Sequence, residues 1–345
     1  MRSLSALLAA SAILRIVPPT MLAAPRIRAA EIKKRLEAAG ISTAGIVEKE
    51  ELYRLLQDLD DNAATTDCIT LQISFLQGGA YAEIDELKFL VDSGSATTIM
   101  SATAATARGV GPPGARVTLT SRRVPLLSLS CGVASPQQAL PPGVDGILGV
   151  DTLRTYAAAE LDWSIPELRL HPSYNCTEAD DTCTSLPMSF RRVAGGELPF
   201  VKARFEGAAE CALEALVDTG TPVSMATPEV AAAAQLDLSS LPADADVLTT
   251  GVDGQPTRMR ATLCRAVALG CAAEGGLSHV DATVYSGTCP MMAKVGWEGQ
   301  PAALLGLDVL RSSVRAGQPP AAAAGGPRTG RLVLDFERGF VRVYA

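Results

Sequence analysis

The chain contains 345 residues, 48% of them hydrophobic and 19% charged, with a formal net charge of −7. This length and composition are typical of two or three globular units, and the acidic balance argues against a general nucleic-acid binder, which usually carries a basic surplus. The sequence has 2 histidines, His171 and His279, too few for a histidine-based zinc site or a Ser-His-Asp triad. We therefore expect no metal, no cofactor and no nucleic-acid partner, and we expect any hydrolytic chemistry to use carboxylates.

The chain begins with a basic and apolar leader, residues 1–24. Residues 4–14 are apolar and residues 22–24 offer a cleavage site, which is typical of a signal peptide, although a transit peptide is also rich in Arg and poor in acids. Arg15 and the prolines after it interrupt the apolar run before the roughly 20 residues that a membrane helix needs. We expect the secretory pathway or the extracellular space, with an organelle such as a plastid as the alternative, and no membrane span after removal of the leader. Asn175 begins a glycosylation sequon that matters only in a secreted chain.

Residues 29–62 predict a small helical hairpin. Apolar residues recur at helical spacing from Ile32, Gly40 is placed to end the first helix, and Leu52 begins the apolar face of the second. The run of residues 32–52 resembles the SAP-like helix–loop–helix module. Some members of that family bind nucleic acid and others contact proteins; because the lysines here are matched by glutamates, we expect a docking or spacer role. The alternative is a helical hairpin that packs on the chain that follows.

From Cys68 onward the pattern changes to β. Residues 69–75 alternate with period two, as a half-buried strand does, and similar runs assign a first lobe to residues 66–172. Residues 173–187 are polar and lack apolar periodicity, which predicts a linker. Residues 188–345 repeat the plan of strands and form a second lobe.

The 8 cysteines include no pair with the two-residue gap of a zinc knuckle or a redox motif. Disulfides between Cys176 and Cys183 and between Cys264 and Cys271 are the local pairs that secretion would permit. Buried free thiols in a reducing compartment are the alternative.

The two lobes share three sequence elements in the same order. The first is an apolar run that ends in Asp, a hydroxyl residue, Gly and a second hydroxyl residue. The second is an apolar pair followed by Gly, and the third is a hairpin with identical internal spacing. Their copies lie at residues 89–95 and 215–221, 147–149 and 304–306, and 161–170 and 334–343. Three elements in the same order make an internal repeat, so the chain is a duplication.

The aspartates of the first element, Asp92 and Asp218, are the candidate catalytic residues. Each ends an apolar run, so partial desolvation makes its charge costly. If the two copies pack about a pseudo-twofold axis, the carboxyls face one another, share one proton and titrate as a unit. Such a pair can deprotonate a water for attack on an amide carbonyl and protonate the leaving nitrogen. Gly94 and Gly220 allow tight turns and the close approach of another chain segment.

Both copies resemble the aspartic protease family, most closely its retropepsin-like branch, with Asp-Ser-Gly-Ser and Asp-Thr-Gly-Thr as paired active-site loops. The resemblance covers most of residues 66–345 and implies that a hydrophobic-hydrophobic-Gly segment passes behind each loop. The supporting residues that it implies are Ser93, Gly94, Ser95, Thr219, Gly220 and Thr221 in the loops, and Ile147, Leu148, Gly149, Leu304, Leu305 and Gly306 behind them.

The resemblance also implies roles for the hydroxyl groups of the loops. Ser93 and Thr219 would hydrogen-bond across the two loops and keep the carboxyls in register. Ser95 and Thr221 would donate to the carboxylates and hold them coplanar.

A flap over the cleft is a further feature that the family implies for each half. Residues 249–260 are the candidate in the second lobe, and residues 109–121 are the weaker one in the first. Four other repeated aspartates follow the Gly element or open a hairpin, and we interpret them as turn and capping residues: Asp151, Asp308, Asp162 and Asp335. We expect Trp163 and Phe336, at equivalent hairpin positions, to serve core or interlobe packing.

The sequence therefore predicts a mainly β chain with two retropepsin-like (acid protease) β-barrel lobes, preceded by a small helical hairpin. We expect a monomer with an internal pseudo-dimer. Its predicted function is that of an aspartic endopeptidase, which hydrolyses a peptide or protein substrate with a water activated by Asp92 and Asp218. The alternative is a catalytically inactive protease-like fold that binds peptides or proteins; the intact motifs favour the enzyme.

Overall fold

The computed structural model describes residues 29–38, 43, 48, 49, 51–55, 68–76, 78–124, 127–135, 138, 140, 143–174, 183–193, 196–237, 246–250, 256–270, 277–287, 296–312, 314, 315 and 330–344. The predicted leader and Asn175 lie outside these residues. Among the described residues, no helix has the length and apolar character needed to cross a membrane. The chain divides into two compact units, Met1–Thr65 and Thr66–Ala345.

The first unit is mainly helical in the residues that are described. It contains α1 (Ala29–Ala38) and further helical residues at 49 and 51–55. Ile32, Leu36 and Leu52 are buried and pack together, because apolar residues at helical spacing share one face of a helix. The SAP-like module assigned to residues 29–62 stays a prediction.

The second unit is mainly β, which confirms the predicted fold class. Its first lobe has two short helices, α2 (Ala102–Arg108) and α3 (Val150–Leu153). The strands of this lobe are β1 (Ile69–Leu76), β2 (Gly79–Ile84), β3 (Leu87–Val91), β4 (Ile99–Met100), β5 (Arg116–Thr120), β6 (Ser128–Val133), β7 (Gly146–Leu148), β8 (Ala158–Asp162) and β9 (Glu167–His171).

The second lobe follows the same plan with longer strands. Its helices are α4 (Pro228–Ala233) and α5 (Leu307–Ser312). Its strands are β10 (Cys183–Val193), β11 (Gly196–Glu206), β12 (Glu210–Val217), β13 (Met225–Ala226), β14 (Val247–Thr250), β15 (Pro256–Leu269), β16 (Leu277–Ser286), β17 (Ala303–Leu305), β18 (Val314–Arg315), β19 (Arg331–Asp335) and β20 (Phe340–Tyr344).

The same arrangement of strands surrounds the Asp-hydroxyl-Gly loop in each lobe. The strand that leads into the loop pairs in parallel with the strand of the apolar-Gly element, β3 with β7 and β12 with β17. The short strand after the loop, β4 or β13, pairs antiparallel with the opposite edge of that same strand. Each loop therefore crosses over the end of β7 or β17, and the glycine element lies directly behind it.

Six of the described strands form one antiparallel sheet that both lobes share, in the order β1, β9, β8, β19, β20, β10. At its centre β8 pairs with β19, which places Asp162 opposite Arg331 and Ala158 opposite Asp335. The order is symmetric about this pair, so a pseudo-twofold axis between β8 and β19 relates the two lobes. Trp163 and Phe336 pack against the core that the lobes share, in keeping with the expected packing role.

Strand β10 begins within the predicted linker, residues 173–187, and corrects its boundary. Cys183 lies opposite Tyr344 at the edge of the shared sheet. Thr184 and Leu186 are buried and alternate with more exposed neighbours. The period-two pattern of a half-buried strand is therefore present. It is hard to recognise in the sequence, because one of the buried positions is a polar Thr rather than an aliphatic residue.

Candidate active site

The two candidate active-site loops begin where β3 and β12 end. The N–H of Asp92 donates to the carbonyl of Leu148 at 3.1 Å, and the N–H of Asp218 donates to the carbonyl of Leu305 at 3.0 Å. The parallel ladders thus extend by one hydrogen bond into each loop. These bonds fix the first residue of the loop against the buried strand behind it.

The hydroxyls of Ser93 and Thr219 connect the two loops across the lobe boundary. Ser93 Oγ donates to the carbonyl of Val217 at 2.7 Å and accepts from the N–H of Thr219 at 3.0 Å. Thr219 Oγ1 donates to the carbonyl of Val91 at 2.9 Å and accepts from the N–H of Ser93 at 3.0 Å. Both residues are fully buried, so removal of either hydroxyl would leave polar backbone groups without partners. The four bonds hold the loops in one register.

The carboxyl of each aspartate lies against the glycine of the opposite loop. A Cβ atom at Gly94 would lie 2.6 Å from Asp218 Oδ2, and a Cβ atom at Gly220 would lie 2.5 Å from Asp92 Oδ1. Only a residue without a Cβ atom fits at these two positions. The two carboxyls also lie close enough to each other to change each other's acidity. The fold therefore brings together, from opposite lobes, the two residues singled out as candidate catalysts.

Burial and mutual contact change the acidity of both carboxyls. Burial raises the pKa of Asp92 well above its usual value, and the charge of Asp218 and the hydrogen bond to it raise that pKa further. Burial also raises the pKa of Asp218, while the hydrogen bond from Asp92 and the N–H groups of Gly220 and Thr221 limit the increase. Two carboxyls in contact cannot both ionise cheaply. The pair therefore holds one proton at pH values where an isolated Asp has lost it.

The hydroxyls of Ser95 and Thr221 do not donate to the carboxylates, contrary to the expectation. Ser95 Oγ donates to the carbonyl of Thr97 at 3.0 Å, and Thr221 Oγ1 donates to the carbonyl of Val223 at 3.3 Å. Short hydroxyl side chains readily bond to backbone groups two residues away, and this local bond wins here. The N–H of Gly94 donates to Asp92 Oδ1 at 2.9 Å, and the N–H of Gly220 donates to Asp218 Oδ1 at 2.8 Å.

The glycine elements pass so close behind the loops that no side chain fits there. A Cβ atom at Gly149 would lie 2.5 Å from the carbonyl carbon of Thr97, and one at Gly306 would lie 2.5 Å from the carbonyl oxygen of Val223. The residues before these glycines are at most 1% exposed and anchor the elements in the two lobes: Ile147, Leu148, Leu304 and Leu305.

Asp151 and Asp308 do more than the turn and capping role inferred from the sequence. Asp151 Oδ1 accepts from the N–H and the hydroxyl of Thr98, both at 2.7 Å. Asp308 accepts from the N–H and the hydroxyl of Ser224 at 2.9 Å and 2.7 Å. The two hydroxyls in turn accept from the N–H of the glycine behind the loop, at 3.0 Å and 2.9 Å. A signal was available, since the hydroxyl residue and the acid recur at the same offsets in both copies.

One of the two predicted flaps has the form of a hairpin. In the second lobe β14 pairs with the start of β15, with Val247 opposite Met259; residues 251–255, at the predicted tip, lie outside the described residues. In the first lobe the predicted range, residues 109–121, contains a loop and then β5, and the partner of β5 is the later strand β6. Gly109, in the left-handed conformation, ends α2, and only residues 110–115 separate it from β5, which leaves little chain for a preceding flap strand.

The described cysteines are free thiols: Cys68, Cys131, Cys183, Cys211 and Cys264. Burial raises the pKa of Cys131 and that of Cys264 to about 11, so both thiols stay protonated near neutral pH. Cys176 and Cys271, the partners considered in the two disulfides, lie outside the described residues.

The shared proton has a consequence for stability that can be measured. A carboxyl whose folded pKa is raised contributes stability that is fully present below its unfolded pKa, near 3.9, and that is lost as the pH rises through the folded pKa. We expect the melting temperature of the wild type, relative to that of the Asp92→Asn, Asp218→Asn double variant, to fall as the pH rises above about 4. Thermal melts of both proteins in steps from pH 3 to pH 8 measure this difference. The other titrating groups are the same in the two proteins, so their contributions to the pH dependence cancel. A difference that is constant over this range would contradict the shared proton.

The sequence matches no known family profile and no curated protein. Among solved structures, it is similar to the crystal structure of an aspartic proteinase from Irpex lacteus, with 12% identity and a TM-score of 0.47 over 81% of this chain and 97% of that one. It is also similar to conglutin gamma, a basic 7S globulin from lupine seeds, with 13% identity and a TM-score of 0.43 over 81% of this chain and 95% of that one. Both likenesses are distant, so the chemistry of the site rests on its own geometry.

Proposed function

We propose that the chain is an aspartic endopeptidase whose catalytic residues are Asp92 and Asp218. The observation that carries the proposal is the meeting of these two carboxyls, one from each lobe, with each carboxyl packed against the glycine of the opposite loop. Crossed hydroxyl bonds and paired glycines pre-organise this pair. A pre-organised acid and base placed side by side can catalyse amide hydrolysis without a metal, a histidine or a covalent intermediate.

In the proposed mechanism the two carboxyls exchange roles once in each cycle. Asp218, as the carboxylate, takes a proton from a water held by the pair, while Asp92, as the acid, gives its proton to the peptide carbonyl oxygen. The water oxygen bonds to the carbonyl carbon and forms a neutral gem-diol. Asp218 then gives its proton to the amide nitrogen, the C–N bond breaks, and Asp92 takes a proton from a diol hydroxyl as the carbonyl forms again. The pair ends with one proton, as it began, and needs no other reactant.

The proposed substrate is a peptide or protein segment, bound in the cleft between the lobes and covered by the hairpin of β14 and β15. A shared proton that persists above the usual Asp range supports activity from acidic to neutral pH. We propose a monomer, because one chain supplies both halves of the pair. A secretory or extracellular location, implied by residues 1–24, is part of the same proposal.

Binding of a statine-type transition-state analogue tests the proposed function. Calorimetric titration of the full chain should give at least about 100-fold tighter binding of the analogue than of the matching substrate peptide. Asp218→Asn should lose that advantage, because its amide cannot serve as the carboxylate of the pair. An inactive binding module would bind the peptide and the analogue equally, and that outcome would reject the enzyme.

A further inference from the structure

Two arginines occupy equivalent positions behind the active-site loops. Arg154 follows α3 and Arg311 lies in α5, at the same offset from Gly149 and from Gly306. The two copies share the pattern Gly-x-Asp-x-Leu-Arg. The acid of this pattern accepts hydrogen bonds from the active-site loop, and the mechanism proposed above leaves the arginine without a role.

Each arginine stacks on aromatic rings of the opposite lobe. The Arg154 guanidinium carbon lies 4.1 Å from the ring centre of Phe190. The Arg311 guanidinium carbon lies 5.3 Å from the ring centre of Phe75 and 5.3 Å from that of Trp163. A guanidinium within about 6 Å of a ring face makes a cation–π interaction. Because Phe75 lies in β1 and Phe190 in β10, the pseudo-twofold axis relates the two contacts, and each crosses the lobe boundary.

A carboxylate of the second lobe also holds Arg154. Arg154 Nη1 lies 2.6 Å from Glu197 Oε2 at the start of β11. The ring of Phe190 also lies near that of Phe336, with ring centres 6.3 Å apart. The guanidinium therefore contacts a ring and an acid, both from the lobe to which it does not belong.

The helices that carry the arginines are bonded directly to the active-site loops. The N–H of Val150, the first residue of α3, donates to the carbonyl of Ser95 at 2.9 Å. The N–H of Leu307, the first residue of α5, donates to the carbonyl of Thr221 at 3.0 Å. Each loop is thus linked through one short helix and one arginine to the aromatic side chains of the other lobe.

We propose that Arg154 and Arg311 are positioning residues that transmit the relative placement of the two lobes to the Asp92–Asp218 pair. The inference rests on the proposed function. The two carboxyls come from different lobes, so their mutual geometry depends on how the lobes sit, and sub-ångström placement decides the efficiency of such a pair. The planar guanidinium suits the role, because it stacks on a ring and donates to an acid at once, which an ammonium does not do.

The test compares Arg154→Leu and Arg311→Leu with the conservative Arg154→Lys and Arg311→Lys, in the full chain. We expect each Leu variant to lower kcat about tenfold with KM within about twofold, and the double Leu variant to lower it about 100-fold or more. The two apparent pKa values that define the acid and alkaline limbs of the pH–rate profile should move closer together. Two carboxyls that are held less closely interact less, and their apparent pKa values then differ less. Lysine should restore little, since charge alone does not stack. Arg123→Gln, at an exposed arginine paired with Glu86, is the matched control and should change neither limb.

A merely structural role would lower the melting temperature and leave kcat and both limbs unchanged well below the melt, and this result would overturn the proposal. A second readout does not depend on turnover. The melting temperature of the wild type relative to that of the Asp92→Asn, Asp218→Asn double variant changes with pH. This pH-dependent difference should become smaller when Arg154 and Arg311 are replaced by Leu in each of the two proteins. If the wild type cleaves no peptide, the proposed function fails, whereas an undiminished stability difference rejects the positioning role by itself.

Discussion

Asp92→Asn and Asp218→Asn should each lower kcat/KM for peptide cleavage by about 10³-fold or more. An amide has nearly the same shape as a carboxyl, so the crossed hydroxyl bonds of Ser93 and Thr219 can persist. Asparagine, however, neither takes the proton of the water nor carries the proton that the carbonyl oxygen needs. Each loss alone therefore removes the function of the whole pair, and the double variant should be little worse than either single one.

Steady-state cleavage assays of the purified variants measure this effect, with circular dichroism as the check of folding. Glu83→Gln is a suitable control, because this acid is exposed on β2 and should leave kcat/KM within about twofold, as a surface change far from the reacting atoms does. A single Asn variant that is folded and retains wild-type cleavage would exclude the carboxyl pair as the catalyst.

Gly220→Ala should damage both activity and stability. Its Cβ would lie 2.5 Å from Asp92 Oδ1 and 2.8 Å from Asp92 Cβ, so the carboxyl must move or the loop must open. Overpacking of this kind costs about 1–3 kcal/mol of stability, and a shift of about 1 Å in the pair costs about 100-fold in kcat. Gly94→Ala, which meets the carboxyl of Asp218 in the same way, should show the same loss.

Gly132→Ala separates this steric effect from the general effect of adding a methyl group to a glycine. Gly132 lies in β6, and the atom nearest to an added methyl group would be Ile99 Cγ2 at 3.8 Å. We expect its denaturant midpoint and kcat to stay close to those of the wild type. Gly220→Ala with wild-type kcat and an unchanged midpoint would show that the carboxyl of Asp92 does not lie against this loop.

The centre of the fold could be predicted from the sequence, because the residues that build each active-site loop occur in both copies of the duplication. Asp92 and Asp218 each follow an apolar run, and each has a downstream glycine that must lie behind its loop. The same elements in the same order imply the same path of the chain around each loop, and from that shared path the pseudo-twofold axis and the meeting of the two loops follow. Gly149 and Gly306 could be placed for the same reason.

Local competition among hydrogen-bond partners could not be predicted. Ser95 and Thr221 sit where a hydroxyl can reach either a carboxyl or a carbonyl two residues away, and their residue types favour neither. The start of β10 at Cys183 was also hidden, because Thr184 is buried although its hydroxyl makes the segment read as polar. In both cases the deciding contacts come from the folded backbone.

Contacts between the lobes were the hardest to foresee. Arg154 meets Phe190, and Arg311 meets Phe75 and Trp163, through packing that no local pattern encodes. The Leu-Arg dipeptide recurs at the same offset after each glycine, but a dipeptide does not indicate which aromatic rings its arginine contacts. The rings become partners only once the six-stranded sheet has brought β1 and β10 to its two edges.

Cleavage of an unbiased peptide library by the full chain, with and without a statine-type inhibitor, tests the central claim most directly. The account predicts endopeptidase products between pH 3 and pH 8 that the inhibitor suppresses and that Asp218→Asn does not form. A folded, processed chain that cleaves nothing across this range, or that cleaves equally well with the inhibitor bound or with Asp218 replaced, would contradict it.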